Sequence, residues 1–397
     1  MLPHLDYARK MARVLLEVGI EIKEGQPVFI ETPVEAREFI SVLVHEAYGC
    51  GASDVFVLWL SDGIERENAR HNGISDDWML EICRRYAERK AGYIRIMCPS
   101  FNEDELDPEL VNGIMKQKTA RRKPFRQAGG GFTLTCIPTD EWADKVFPEL
   151  EQKDRMEALW DLVYNLMKCP DSDPVASWRE YIRNTEKRKK ALDGRGYLKY
   201  RYRSDKTDLT LSPAKESIWF GGCNRYTDRV FIPNLPTEEI FTVPQKFSAE
   251  GHVESTMPLN YDGKIIEGIK IDFHEGKAIS VHADKGEDIL REIISSDDGA
   301  SYLGEFALVD QSSRIASFGK ILYTTLYDEN ASCHIALGTA AGQMPEGRDE
   351  ELGVNRSCVH VDFMIGSDDM TVEAEKADGT WDRILVNGRW NENIFDN

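Results

Sequence analysis

Val359-His360-Val361-Asp362-Phe363-Met364-Ile365 places a histidine and a carboxylate two residues apart inside an apolar run. Alternate residues of a β-strand point to the same side. Read as a strand, the stretch sets His360 and Asp362 side by side and turns Val359, Val361 and Phe363 to the other face. A charge left unpaired on a buried strand costs several kcal/mol. Two readings are open: a metal ion pairs with both side chains, or the strand lies at a sheet edge, with Asp362 solvated and His360 bonded to backbone.

Outward from this strand, the second half of the chain reads largely as β-structure from about Tyr197, in YLKYRYR, DLTLS, SIWFGG, GKIIEGIKIDF and AISVHA. The pattern turns helical at 284–296 and again around 301–310 and 328–340, and DGTWDRILVNGRW reads as a closing hairpin. The first half differs. Helical periodicity at 4–18, 34–49 and 76–91 alternates with the apolar runs QPVFIE (26–31), DVFVLWL (54–60) and YIRIMC (93–98), the signature of βαβ units and a mainly parallel sheet. A further strand at 132–138 precedes helices near 140–146, 149–168 and 175–193. The expected architecture is therefore an α/β N-terminal domain over 1–195 and an α+β C-terminal domain over 196–397, with a mixed or antiparallel sheet. No GxGxxG or GxxxxGK[ST] follows any strand of the first half, so it shows no nucleotide-binding loop. The basic run Lys116–Arg126 ahead of Gly129-Gly130-Gly131 reads as a solvated helix end and a flexible loop.

Composition narrows the function. A length of 397 residues suits two cores better than one. A net charge of −20 opposes nucleic acid and anionic membrane as partners. No apolar run approaches the roughly 20 residues of a membrane span, and the N-terminus lacks a signal-peptide core, so a cytoplasmic location is expected. Eight cysteines form no CxxC pair and read as reduced thiols.

Three further stretches carry candidate chemistry. Pro236–Pro244 sets Glu238 and Glu239 ahead of an apolar segment bounded by prolines, where they sit at a rim or cap a turn. Ser301–Asp310 embeds Glu305 among apolar residues with no basic neighbour, so its partner comes from elsewhere, as a metal or a distant arginine. Leu326–Gly338 gathers Asp328, Glu329, Asn330 and His334. Glu329 and His334 serve one site only if the segment bends or starts a helix between them, with Asn330 or Ser332 as the cap. Imidazole nitrogens and carboxylate oxygens are what a borderline divalent ion accepts, and carboxylates can bridge two ions. The donors exceed the need of one tetrahedral metal and suit a pair. His334, His360 and Asp362 alone would also make the two-histidine, one-carboxylate set of a mononuclear Fe(II) ring-cleaving dioxygenase.

These blocks in register resemble the aminopeptidase T family of dimetal metalloaminopeptidases, which includes aminopeptidase S and PepS: PVFIETPVEAREF, YGCGASDV, TDEWADKVFP, PNLPTEEIFTVP, MPLNYDGKIIEG, LGEFALVD, LYDENASCHIALG and NRSCVHVDFMIGS. The resemblance implies metal ligands at Glu239, Glu305, His334, His360 and Asp362, with Glu329 at a further acidic position that binds metal or relays protons. It implies catalytic roles for Glu305 and Glu329 and two divalent ions per subunit, zinc first, with cobalt or magnesium as alternatives. Peptides with a free N-terminus are the expected substrates and a homodimer the expected assembly. One position departs from the pattern: seven residues after His334, where the family commonly has a tyrosine, this chain has Ala341. A metal-binding homologue with weak or no peptidase activity is the reading that this departure favours.

Overall fold

A computed structural model describes residues 2–72, 77–99, 101, 108–226, 228–261, 263–341, 344–345 and 347–395. The chain divides into two compact units, Met1–Tyr181 with Cys223–Pro236, and Ile182–Gly222 with Thr237–Asn397. The division expected at 195/196 falls at the end of the helix Pro174–Arg195.

In the first unit, apolar runs form a four-stranded sheet in the order Asp54–Leu60, Pro27–Pro33, Gly92–Met97, Phe132–Cys136, parallel at every pair. The helices Arg37–Gly49, Asp77–Glu88 and Pro108–Ala128 connect successive strands, as the alternating pattern required. The basic run departs from expectation. It lies inside the helix Pro108–Ala128, and Arg122 and Arg121 turn inward, Nη2 reaching Glu31 at 2.6 Å and Glu65 at 3.1 Å. The glycines after it are closely packed rather than loose, because a Cβ on Gly130 would stand 2.1 Å from the Ala91 carbonyl oxygen.

The second unit stacks two antiparallel sheets. One has eight strands, ordered Lys277–His282, Lys270–His274, Glu250–Glu254, Asp208–Leu211, Lys199–Arg203, Thr371–Glu375, Trp381–Val386, Arg389–Trp390. The last two strands are the expected hairpin. The other has five, ordered His360–Met364, His334–Gly338, Leu303–Val309, Glu239–Thr242, Phe220–Gly221. Their facing sides share one core, in which Tyr200, Tyr202, Val253 and Val372 meet Ile240, Phe306, Leu308, Ile335, Leu337, Val361 and Phe363. Burying side chains of this size contributes about 1.5–3 kcal/mol each. Tyr202 brings its hydroxyl into that core and donates it to the Ala307 carbonyl at 3.1 Å.

Two expectations fail here. The segment around 301–310 is the fully buried strand Leu303–Val309, not a helix. Residues 328–340 hold the end of a short helix, Thr325–Asp328, and then the strand His334–Gly338. Short unbroken apolar runs carry neither helical nor strand periodicity, so pairing with neighbours decides their state.

Candidate metal centre

The strand registers bring the predicted donors together. Glu305 pairs with Ala336, Ala336 with Asp362 and Gly338 with His360, while Glu239 lies opposite Val309. With a period of two, Glu239, Glu305, His334, His360 and Asp362 all project from one face of the five-stranded sheet, the face turned away from the shared core. Between them stand Ala307, Ala336 and Gly338, too small to fill the space. Ahead of Glu305 the pairing shifts register at Gly304. There the backbone runs so close to its neighbour that a Cβ would meet the Thr339 carbonyl oxygen at 2.1 Å.

Two compact donor groups result, Glu239–Glu305–His334 and Glu305–His360–Asp362. Glu305 belongs to both. Its Oε1 is 3.4 Å from His334 Nε2 and its Oε2 is 3.5 Å from His360 Nε2. His334 Nε2 also lies 3.1 Å from Glu239 Oε2, and His360 Nε2 lies 3.4 Å from Asp362 Oδ1. Each imidazole turns its other nitrogen to a backbone carbonyl, His334 Nδ1 to Ser332 at 3.1 Å and His360 Nδ1 to Thr339 at 2.8 Å. A proton on Nδ1 donating to the carbonyl leaves the Nε2 lone pair facing the carboxylates, the arrangement found around metal-bound histidines.

Glu239, Glu305, His334 and Asp362 are buried, whereas the His360 side chain keeps 31% of its exposure. Burial, reinforced by the Glu305 and Asp362 carboxylates and opposed by His334, pushes Glu239 up to about 7. Burial together with Glu239 and Asp362 pushes Glu329 well above the usual carboxylate range. Burial alone would favour neutral imidazoles, yet Asp362 and Glu305 raise His360 to about 11, and Glu239 and Glu305 raise His334 strongly. Asp362 is held low despite its burial, because His360 stands beside it. The cluster thus draws in positive charge.

The donor set fits divalent ions. Glu239 Oε2 and His334 Nε2 are buried and, close as they are, neither completes a hydrogen bond. Orphaned atoms of this kind call for a partner that the protein does not supply. Glu239, Glu305, Glu329 and Asp362 are four interacting carboxylates, which two divalent ions would neutralise with both imidazoles uncharged.

Glu329 lies outside both compact groups. It follows the helix Thr325–Asp328 and, with Asp362, lines an adjoining pocket. The chain bends between Glu329 and His334, as a shared site required, but Asn330 does not cap a following helix. Fully buried, it accepts hydrogen bonds at Oδ1 from the backbone N–H groups of Glu238 (2.7 Å) and Glu239 (3.2 Å), and its Nδ2 donates to the Leu326 carbonyl at 3.0 Å. Glu239 is therefore a buried strand residue rather than a rim residue, and Asn330 sets its backbone. Asp297 holds the approach to His360. Its carboxylate accepts from the N–H groups of Gly299 and Ala300, each at 2.9 Å, from Ser357 Oγ at 2.8 Å and from Cys358 N–H at 2.6 Å. Sequence reasoning missed the role of Asp297 and that of Ala336. The alternation His334-Ile335-Ala336-Leu337-Gly338, small or polar against large, was the available signal for the second. Ala341 donates its N–H to the Gly304 carbonyl at 3.2 Å, beside Glu305.

Comparison with known proteins places this geometry in a family. The model for the thermophilic metalloprotease family (M29) matches residues 6–390. Aminopeptidase AmpS of Bacillus subtilis is 33% identical, and aminopeptidase PepS of Streptococcus thermophilus and aminopeptidase T of Thermus thermophilus are each 34% identical, in every case over 96% of this chain and 97% of the relative. The solved structure of wild-type AmpT from Thermus thermophilus superposes with a TM-score of 0.87 at 32% identity, covering 98% of this chain and 100% of that one. A 2,5-dihydroxypyridine dioxygenase from Pseudomonas putida shares the fold at a TM-score of 0.57 and 12% identity, over 98% of each chain. Joined to relatives over nearly its whole length, and carrying buried carboxylates and imidazoles gathered on one sheet face, the chain belongs to the thermophilic metalloprotease family (M29) as a metalloaminopeptidase.

Proposed function

We propose that the second unit releases N-terminal amino acids from peptides at a two-ion centre. The observation that carries this reading is the position of Glu305, the one carboxylate common to both donor groups, with an oxygen toward each histidine. Glu239 and His334 would hold one ion, His360 and Asp362 the other, and Glu305 both. Bound divalent ions supply Lewis acidity, polarising the scissile carbonyl and lowering the pKa of a water molecule toward neutrality. Glu329, set outside the donor groups and facing the pocket, takes the proton of that water and delivers it to the leaving amine, a role typically contributing about 10²–10⁴-fold. The carboxylates around the site attract the ammonium end of a substrate, which favours peptides with a free N-terminus. The methyl group of Ala341 offers no hydroxyl to a developing oxyanion.

A mononuclear iron centre needs two histidines and one carboxylate, and the buried Glu239 exceeds it. Zinc is the first choice of ion for a mixed nitrogen and oxygen set, with cobalt and magnesium next. Resemblance to the family supports a homodimer, and eight cysteines that form no disulfide support a cytoplasmic location. Metal content and hydrolysis of leucine p-nitroanilide, measured before and after chelation and after adding back zinc, cobalt or magnesium, test the whole reading. Two ions per chain with metal-dependent turnover are expected; two ions with no turnover across a dipeptide panel would leave only a metal-binding homologue.

A further inference from the structure

The four-stranded sheet of the first unit reverses its order between Pro27–Pro33 and Gly92–Met97. The connection leaving the first of these strands runs through Arg37–Gly49 to the neighbour on one side, and the connection leaving the second runs through Pro108–Ala128 to the neighbour on the other. In open parallel sheets, ligands bind outside the carboxyl ends of the strands at the point where the order reverses. Two charged residues stand in register in the carboxyl halves of these strands, Glu31 opposite Arg95, and the helix Pro108–Ala128 brings Arg122 onto Glu31. We propose that Arg95, with Arg122 and the hydroxyl of Tyr93, forms a binding site for a small oxyanion, a phosphate or carboxylate group, separate from the metal centre and independent of its chemistry.

Positive charge is left over here. Arg122 directs both Nε, at 3.0 Å, and Nη2, at 2.6 Å, to Oε1 of the buried Glu31. Arg95 Nε stands 3.8 Å from the same oxygen, beyond hydrogen-bond reach, and its guanidinium completes no hydrogen bond among the described residues. One carboxylate thus serves two guanidinium groups, in a chain whose net charge is −20. Burial and the neighbouring Arg122 both lower the pKa of Arg95, a cost that a bound anion would offset. The Arg95 side chain keeps 29% of its exposure, so a solute reaches it from solvent. Two residues earlier on the same strand face, Tyr93 is buried beside Glu31 and Arg122, and its hydroxyl has no hydrogen-bond partner. A guanidinium fork, a second cation and a hydroxyl donor together match the acceptors of a phosphate or a carboxylate. No glycine-rich phosphate motif follows these strands in the sequence, which leaves the recognition to side chains.

Calorimetric titration of the metal-loaded chain with inorganic phosphate and, separately, with acetate tests the site and tells the two kinds of group apart. At least one of them should bind with a dissociation constant below about 10 mM. Arg95→Gln removes the charge-assisted hydrogen bonds and should weaken that binding at least about tenfold. Arg95→Lys keeps the charge and loses the fork, and its affinity should fall between the two. Tyr93→Phe deletes a hydroxyl that has no partner in the protein, so the melting temperature without anion should not fall, while the anion should bind about fivefold more weakly. An anion held by the metal ions instead would keep its affinity in all three variants. Affinity within about twofold of the unsubstituted protein in either Arg95→Gln or Tyr93→Phe overturns the site, and so does a dissociation constant above about 10 mM for both anions. Should Arg95→Gln fail to fold, Tyr93→Phe alone decides.

Discussion

Replacing Glu305 by glutamine should release both ions, whereas replacing Glu239 should release one. Glu305 faces His334 and His360 at 3.4 and 3.5 Å, while Glu239 faces only His334. A bridging carboxylate gives each ion about half a negative charge. Half a charge acting on a divalent ion equals a unit pair, about 4 kcal/mol at 4 Å with an effective dielectric constant near 20. Glu305→Gln should therefore weaken each ion by about 4 kcal/mol, about a thousandfold in dissociation constant. Glu239→Gln, which removes a full charge from one ion, should weaken that ion by at least as much and leave Glu305, His360 and Asp362 able to hold the other. Equilibrium dialysis against buffered free zinc, followed by elemental analysis, reads both constants in each variant. Two ions retained in Glu305→Gln at the original affinity would refute the shared carboxylate. So would equal loss of both ions in Glu239→Gln, because the two positions would then be one.

Removing the Asn330 side chain as alanine leaves the half-buried N–H of Glu238 and the buried N–H of Glu239 without their acceptor, at up to about 1–3 kcal/mol each; urea unfolding of the metal-free protein should show a loss of at least about 2 kcal/mol, and a loss under about 0.5 kcal/mol would contradict the assigned role. Asp297 has a folded pKa depressed by the N–H of Cys358, the hydroxyl of Ser357 and the N–H of Gly299. Its contribution is present above the unfolded value of about 3.9 and lost as pH falls toward the lower folded value. The difference in melting temperature between the unsubstituted protein and Asp297→Asn should thus be largest near pH 6 and shrink toward pH 3, and a constant gap across that range would speak against it. Chelation at neutral pH should destabilise the chain, and zinc at about 100 times its dissociation constant should restore about 2.7 kcal/mol; an unchanged melting temperature would mean that the folded chain gains nothing from the ion.

The parallel sheet of the first unit was legible because each strand is an apolar run between strongly periodic helices. The donors were legible as polar residues in apolar surroundings, and resemblance to a known family selected among them. The segments 301–310 and 328–340 were not. Their apolar runs look alike as helix or strand, and what decides them is pairing between Leu303–Val309, His334–Gly338 and His360–Met364, separated by loops whose geometry a local pattern does not carry. Of the sheet-edge reading of His360-Val361-Asp362, part holds. The strand does lie at the sheet edge, and His360 does bond to backbone, at the Thr339 carbonyl. Asp362 nevertheless is buried, with Met257–Asn260, Thr325, Asp328 and Glu329 lining the same pocket beside it.

The alternation of donors and large apolar residues along the site strands also guards against misalignment. Glu305 is followed by Phe306, His334 by Ile335 and Asp362 by Phe363, and each of these neighbours lies in the shared core. A strand that slipped by one residue would drive a charged or polar group into that core and expose an aromatic or branched side chain in its place, so a slipped pairing loses on both faces at once. The acids gathered for chemistry therefore also act as alignment marks during folding. Since four strands spread from residue 239 to residue 364 must all be aligned before the donors converge, uptake of metal by a refolding chain would report the moment at which the last strand has found its place.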